Sequence, residues 1–465
     1  MKADDLSASS EILECQDART FRKTALVKFI ICSIIGVLFF LTPIFWDGEW
    51  TIGIGVLASL LKSVISTNTL PTVAYILVTF SAISTLIVGI FKPTRIVTDS
   101  YLSSLFYPTK VWFILRIIGG IFVNFIYWQI GPEWVYSNNT GGLILNDLNP
   151  VLIPFFLFAM LLLPFLVDYG LMEFVGILLS RVFHKIFRLP GRVAIDAMAS
   201  WLGSSAVGVI ITSQQYERGF YSARQASVAA TNFSVASIAF SLLIVSFLNI
   251  THLFLQFYAV VVVTALSLAM IMPRIPPLSR KKDTYIIEGN SASEMIPQGI
   301  SLPKWAVSQA VDKAERAPSI PKSLFRSIFV LLDVYMGLLP LMFAIGTVAL
   351  AISEYTPIFT YLSYPFIYYL ELLGIPEAAK VAPTMLVGFA DMFLPAVLGH
   401  AIESELTRFV IACVSVVQII YLTEVGALIL RSQIPLNFLE LLMIFLIRTI
   451  IALPIIAFFA HFVIF

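Results

Sequence analysis

Apolar positions along this chain fall in long blocks rather than at a helical or strand period. Blocks near 25–46, 72–91, 111–130, 150–168, 225–248, 252–272, 327–352, 409–430 and 437–461 are each long enough to cross roughly 30 Å of hydrocarbon at about 1.5 Å per residue. They predict nine transmembrane helices. Three further apolar stretches, 51–68, 190–212 and 376–400, are short or interrupted by Gly, Pro and polar residues. The first reads as an amphipathic segment, and the other two do not read as simple spans. Residues 1–24 are polar and mixed in charge, a cytoplasmic tail, and the block after them is too long for a signal-peptide core and lacks a small-residue cleavage site.

Composition agrees with the blocks: 59% of residues are hydrophobic and 12% charged, about half the charge usual in a soluble domain. The chain reads as an all-α polytopic membrane protein. With 29 Lys+Arg against 28 Asp+Glu, no basic face for nucleic acid follows. Cys15, Cys32 and Cys413 lie far apart, and the four histidines are dispersed, so neither a disulfide framework nor a metal site is expected. With residue 1 in the cytoplasm, one side receives every Lys and Arg except Lys62, Arg116, Lys380, Arg408 and Arg448. The positive-inside rule therefore places the N-terminus in the cytoplasm and, across nine spans, the C-terminus outside. Segment 273–326 is polar, Pro-rich and charged, and reads as a partly disordered cytoplasmic linker.

Shifting the chain by 186 residues aligns Asp147 with Asp333, Pro154 with Pro340, Asp168 with Glu354, Tyr169 with Tyr355 and Pro190 with Pro376, and brings Gly203 within one residue of the match to Gly388. Two repeats follow, 147–272 and 327–465 (aligned over 333–461), behind scaffold helices in 25–146. The opening span of the first runs inward and that of the second outward, so segments 190–212 and 376–400 enter the membrane from opposite faces. Inverted repeats with interrupted apolar segments at matching places point to alternating-access transport.

The stretches LPGRVAIDAMASWLGSSAVGVIITSQQYERGFYSARQASVAATNFSVASIAFSLLIVSF and VAPTMLVGFADMFLPAVLGHAIESELTRFVIACVSVVQIIYLTEVGALI resemble the two Gate domains of bacterial YjiH-family membrane proteins. Gate domains are named for nucleoside recognition and are shared with concentrative nucleoside transporters and the membrane part of a ferrous-iron transporter. The resemblance implies a reentrant hairpin and two spans per repeat, with a substrate site between the hairpin tips. No G-x-x-x-x-G-K-[ST] motif for a GTPase is present.

Candidate binding residues follow from polarity inside apolar segments. Gly203, Ser204 and Ser205 mark the turn of the first hairpin, and Gly388 and Asp391 that of the second. An Asp at that depth costs about 2.5–3.5 kcal/mol on insertion scales, so it should face protein or water. Asn232 and Ser234 in block 225–248, with Gln418 and Thr423 in block 409–430, are candidates to line a cavity. Glu424 and Arg448 are expected to meet as a buried pair, serving with Asp391 as candidate ion-coupling groups. Each has a structural alternative: close packing for the glycines and serines, helix capping for Asp391, a static ion pair for Glu424 and Arg448.

The expected function is secondary active transport of a small polar solute, of nucleoside, amino-acid or short-peptide class, across the bacterial cytoplasmic membrane. H⁺ or Na⁺ is the candidate coupling cation and no cofactor is expected. The alternative is a non-transporting Gate-domain scaffold or sensor that recruits a partner. An enzyme is not expected, since no H-E-x-x-H or nucleophile-elbow motif occurs. The lipid bilayer is the other partner, and the scaffold helices are a candidate homodimer interface.

Overall fold

The computed structural model describes residues 23–46, 49–65, 69–287 and 300–465. Most of the expected tail, 1–22, and part of the linker, 288–299, lie outside the described residues. Among the described residues eight helices are long and apolar enough to cross a membrane. The protein is thus an α-helical, multi-pass membrane protein. Its scaffold helices are Lys23–Phe40, Thr69–Phe91 and Lys110–Trp128. The last two pack on each other and on Ile320–Leu341, where Ser81 Oγ donates to Met336 O at 2.6 Å. Gly119 makes that crossing possible, because a Cβ there would lie 2.0 Å from the Pro340 carbonyl oxygen.

One expectation for the scaffold is corrected. Block 25–46 is helical only to Phe40, and an antiparallel pair, Pro43–Trp46 with Glu49–Ile52, follows it. The expected amphipathic segment 51–68 begins in that second strand and continues as helix Gly53–Val64. The linker also carries order: Leu302–Arg316 is a helix packed on Leu171–Val182, joined to it by Lys313 Nζ to Glu173 Oε1 at 3.1 Å.

Behind the scaffold, five elements occur twice in one order. The first set is helix Asn149–Val167, amphipathic helix Leu171–Val182, a hairpin of Val193–Gly203 and Ser205–Glu217, a broken helix of Ala223–Asn232 and Ile238–Phe247, and helix Phe254–Ile271. The second is Ile320–Tyr355, Ile358–Leu372, a hairpin of Ala378–Val387 and Leu394–Gly399, a broken helix of Glu405–Val417 and Leu422–Arg431, and Phe438–Phe459. Block 225–248, expected as one span, is therefore two half-helices of 10 residues each. Its hydropathy is continuous, but Ser237 caps the second half, accepting from Phe240 N at 3.2 Å. Residues 233–237 between them are not helical.

The hairpins enter from opposite ends. The start of the first broken helix, beside the base of the first hairpin, bonds to the linker: Ala223 N donates to Thr284 O and Arg224 N to Lys282 O. The base of the second hairpin sits at the other end of that same broken helix. There His400 Nδ1 lies 2.8 Å from Phe247 O and Arg408 Nη1 donates to Leu248 O at 2.7 Å. We call these the linker end and the far end.

Candidate functional site

Four backbone discontinuities meet in mid-molecule: two hairpin tips and two helix breaks. At the first tip Ser204 leaves the helical region (φ −148°, ψ 143°) and caps helix Ser205–Glu217. The acceptor that completes this cap comes from the other repeat. Glu424 Oε1 receives Ser204 Oγ at 2.9 Å, Ser205 Oγ at 3.1 Å and Ala206 N at 2.9 Å. A carboxylate at a helix N-terminus with three donors on one oxygen is held by charge-assisted bonds and by the helix dipole. Tyr421 OH donates to Glu424 Oε2 at 3.3 Å and also pairs closely with Ser205 Oγ.

The second tip is organised around Asp391. Its Oδ1 accepts from Phe393 N at 2.8 Å and its Oδ2 from Thr423 Oγ1 at 2.8 Å. The unwound part of the second broken helix lies on this turn, with Leu422 N donating to Phe389 O at 2.8 Å and Thr423 N to Ala390 O at 3.3 Å. Among the described residues neither Asp391 nor Glu424 has a Lys, Arg or His partner. Such carboxylates, held only by hydroxyl and N–H donors, keep acceptor lone pairs for a cation or a donor-rich solute group.

A cavity of about 620 Å³ adjoins both tips, a volume ordinary for small-molecule sites. Of the residues expected at a site, Gly203, Ser204, Ser205, Asp391, Thr423 and Glu424 line it. The body of the cavity is apolar, with Phe155, Phe156, Phe240 and Phe393 among its walls. Towards the linker end it carries Arg116, Asp333 and Arg431. Arg431 reaches Thr109 Oγ1 at 3.2 Å and stands over the Trp112 ring at 5.5 Å.

Asn232, Ser234, Gly388, Gln418 and Arg448 lie off this wall, all buried. The expected contact between Glu424 and Arg448 is not formed. Similar depth on antiparallel segments suggested it, but the break at 418–421 turns Glu424 towards the first hairpin. Arg448, fully buried, instead holds both broken helices at their breaks. Its Nε and Nη2 donate to Val417 O at 3.1 and 2.8 Å, and its Nη1 to Thr231 O at 3.1 Å and Asn232 Oδ1 at 2.7 Å. The repeat offset pairs Thr231 with Val417 and Asn232 with Gln418, so one guanidinium takes equivalent carbonyls from the two repeats. Cations favour helix C-terminal ends, where carbonyls lack intrahelical partners. Gln418 Nε2 donates to Met385 O and Thr449 Oγ1, each at 2.9 Å, while its Oε1 abuts Gly388, where a Cβ would lie 2.1 Å away.

Sequence reasoning passed over Tyr421, Asp333 and Arg431 as site residues. Tyr421 was legible, since it stands three residues before Glu424 and between the polar candidates Gln418 and Thr423.

The family model for Gate, described as nucleoside recognition, matches residues 150–251, which carry the first hairpin and first broken helix. An uncharacterized protein of Alkalihalophilus pseudofirmus is 49% identical over 451 residues, covering 97% of this chain and 97% of its own. The chain belongs to the family of that protein. A solved structure of CNTnw, a variant in an outward-facing state, covers 95% of the chain and 99% of its own at 11% identity with a TM-score of 0.37. The Gate match of this chain thus falls in its first repeat, and the second repeat lies outside the matched region.

Proposed function

We propose that this family member is a secondary transporter that moves a small polar solute across the bacterial cytoplasmic membrane by alternating access. The carrying observation is a cavity at which oppositely inserted hairpin tips meet two helix breaks, one of each from each repeat. Unwound backbone at membrane depth is tolerated where it borders protein or a wet cavity, and broken helices at a repeat interface are the usual place for substrate and coupling ions. In this reading residues 327–465 act as a second Gate-type unit, and the family is of YjiH type.

Ser204, Ser205 and Thr423 offer hydroxyls to the solute, while Asp391 and Glu424 carry the coupling charge, H⁺ or Na⁺. Gly203 and Gly388 allow close backbone approach. Asn232, Ser234, Gln418 and Arg448 support the site from behind rather than touching solute. The linker end faces the cytoplasm, because most Lys and Arg gather there. The solute belongs to the nucleoside, amino-acid or short-peptide class.

The test is uptake by proteoliposomes of a panel from these three classes under imposed H⁺ or Na⁺ gradients, beside a ligand-induced thermal-shift screen. Uptake of one class driven by one gradient is expected. Absence of uptake and of any thermal shift across the panel would favour the scaffold or sensor reading.

A further inference from the structure

A second cavity, of about 360 Å³, lies at the far end, between helix Gly53–Val64, the first turns of Asn149–Val167 and the half-helix Ile238–Phe247. Its wall is more polar than that of the central cavity. Thr51, Ser59, Ser246 and Thr251 bring hydroxyls to it and Lys62 an ammonium group. Phe155 lines this cavity and the central one, and it alone is common to the two linings.

Phe155 is 4% exposed and begins a run of ring contacts. It meets Phe156 at 6.4 Å, Phe156 meets Phe240 at 6.3 Å, Phe240 meets Phe393 at 6.1 Å and Phe393 meets Phe247 at 5.1 Å. The run ends at the base of the second hairpin, where Phe247 lies 4.9 Å from the His400 ring. One member is tied to the site itself, since Phe393 N donates to Asp391 Oδ1. The backbone beneath Phe155 is also weakened. Pro154 stands inside the helix and leaves the carbonyl of Pro150 without its helical donor.

We propose that the far-end cavity is the outer vestibule of the solute path, a site for a small hydrophilic solute, and that Phe155 is the gate between it and the central cavity. This rests on the transporter reading in taking the two cavities as parts of one path. The gate is shut by ring packing in the arrangement described. Displacement of the second hairpin moves Phe393 and withdraws support from Phe240, Phe156 and Phe155 in turn, so occupancy at Asp391 is felt at the gate.

The test needs no solute. In a Cys15→Ser background, where Cys32 and Cys413 are buried, Ser59→Cys reports on the vestibule and Ser237→Cys on the central cavity. A membrane-impermeant sulfonated maleimide is applied from the far-end face. Ser59→Cys is expected to react quickly and Ser237→Cys at least an order of magnitude more slowly. Adding Phe155→Ala should accelerate Ser237→Cys by an order of magnitude or more and leave Ser59→Cys unchanged. Phe155→Leu, a smaller loss of volume, should give an intermediate acceleration and serves where the alanine variant does not fold. The proposal is overturned if Ser59→Cys is unreactive, if Ser237→Cys already reacts as fast as Ser59→Cys, or if a folded Phe155 variant leaves the Ser237→Cys rate unchanged. Uptake by the unmodified protein is scored separately, so loss of the gate and loss of the transporter reading are distinct results.

Discussion

Asp391 and Ser205 occupy matching places in the two hairpins, 186 residues apart, and the chemistry at those places differs. Asp391→Asn keeps an oxygen for Phe393 N and loses the charge, so expression should be intact while uptake is abolished or no longer follows the ion gradient. Ser205→Ala removes a hydroxyl offered to the solute, a loss of about 0.5–1.5 kcal/mol for one net hydrogen bond, and solute affinity should fall several-fold. Full uptake in both variants would exclude these residues from the site. Arg448 belongs to another class. Arg448→Met leaves the Thr231 and Val417 carbonyls and the Asn232 amide oxygen without their donor, at about 1–3 kcal/mol for each unsatisfied buried group. Thermal unfolding should show a large loss of stability in that variant, whereas Glu424→Gln, which keeps an acceptor for Ala206 N, should lose much less. Equal losses would mean that Arg448 does not hold the breaks together. The polar tip residues were legible because a charge or a cluster of small residues is conspicuous in apolar sequence. The partner of Arg448 was not, since it depends on where two helices break.

At the scale of elements, the hairpins were readable and the breaks were not. Proline and glycine interrupt 190–212 and 376–400, and backbone that cannot stay helical announces itself. The first break contains Phe233, Val235 and Ala236 among its polar residues, so a hydropathy reading runs straight through it, and only the hydrogen bonds of Ser237 and Arg448 reveal it. The strand pair at 43–52 was missed for a similar reason, although Asp47-Gly48 stands between aromatic residues as a hairpin signal. Packing between elements gives a contrast that can be measured. Gly119→Ala drives a methyl against the Pro340 backbone and should cost about 1–3 kcal/mol, as overpacking does. Gly203→Ala meets only the end of the Val167 side chain, at 3.4 Å, and should leave thermal stability near that of the unmodified protein. The base of the second hairpin adds a pH dependence. Glu377 is held below the usual carboxylate range, chiefly by its hydrogen bond from Lys380 and then by the Ser404 backbone N–H. A lowered folded-state value means that the stabilisation is complete at neutral pH and is lost as pH falls through that value. The stability gap between the unmodified protein and Glu377→Gln should therefore be widest near neutrality and narrow below about pH 4.3, the ordinary value for Glu; a gap independent of pH would refute this.

At the scale of the molecule, transport requires that the two hairpins control opposite entrances, and the contacts at their bases already separate those entrances within the fold. Which entrance faces the cytoplasm is a matter of charge. Helix Leu302–Arg316 at the linker end stands in the most basic part of the chain, and positive charge near span ends favours the cytoplasmic side. The amphipathic helix Ile358–Leu372 follows the long apolar run Ile320–Tyr355 and so emerges at the far end, where Asn139 Nδ2 donates to Glu354 Oε1 at 2.9 Å. Lys304 and Tyr361 are both exposed, Tyr361 at 73%, and neither lines the central cavity. In intact cells an impermeant maleimide should label Tyr361→Cys and spare Lys304→Cys; in inside-out vesicles the pattern should reverse. Labelling of both from one face would contradict the crossing of Ile320–Tyr355 and, with it, the opposed hairpins on which alternating access depends. Reversal of both faces together would keep the fold and the transporter reading, and would turn the proposed vestibule towards the cytoplasm.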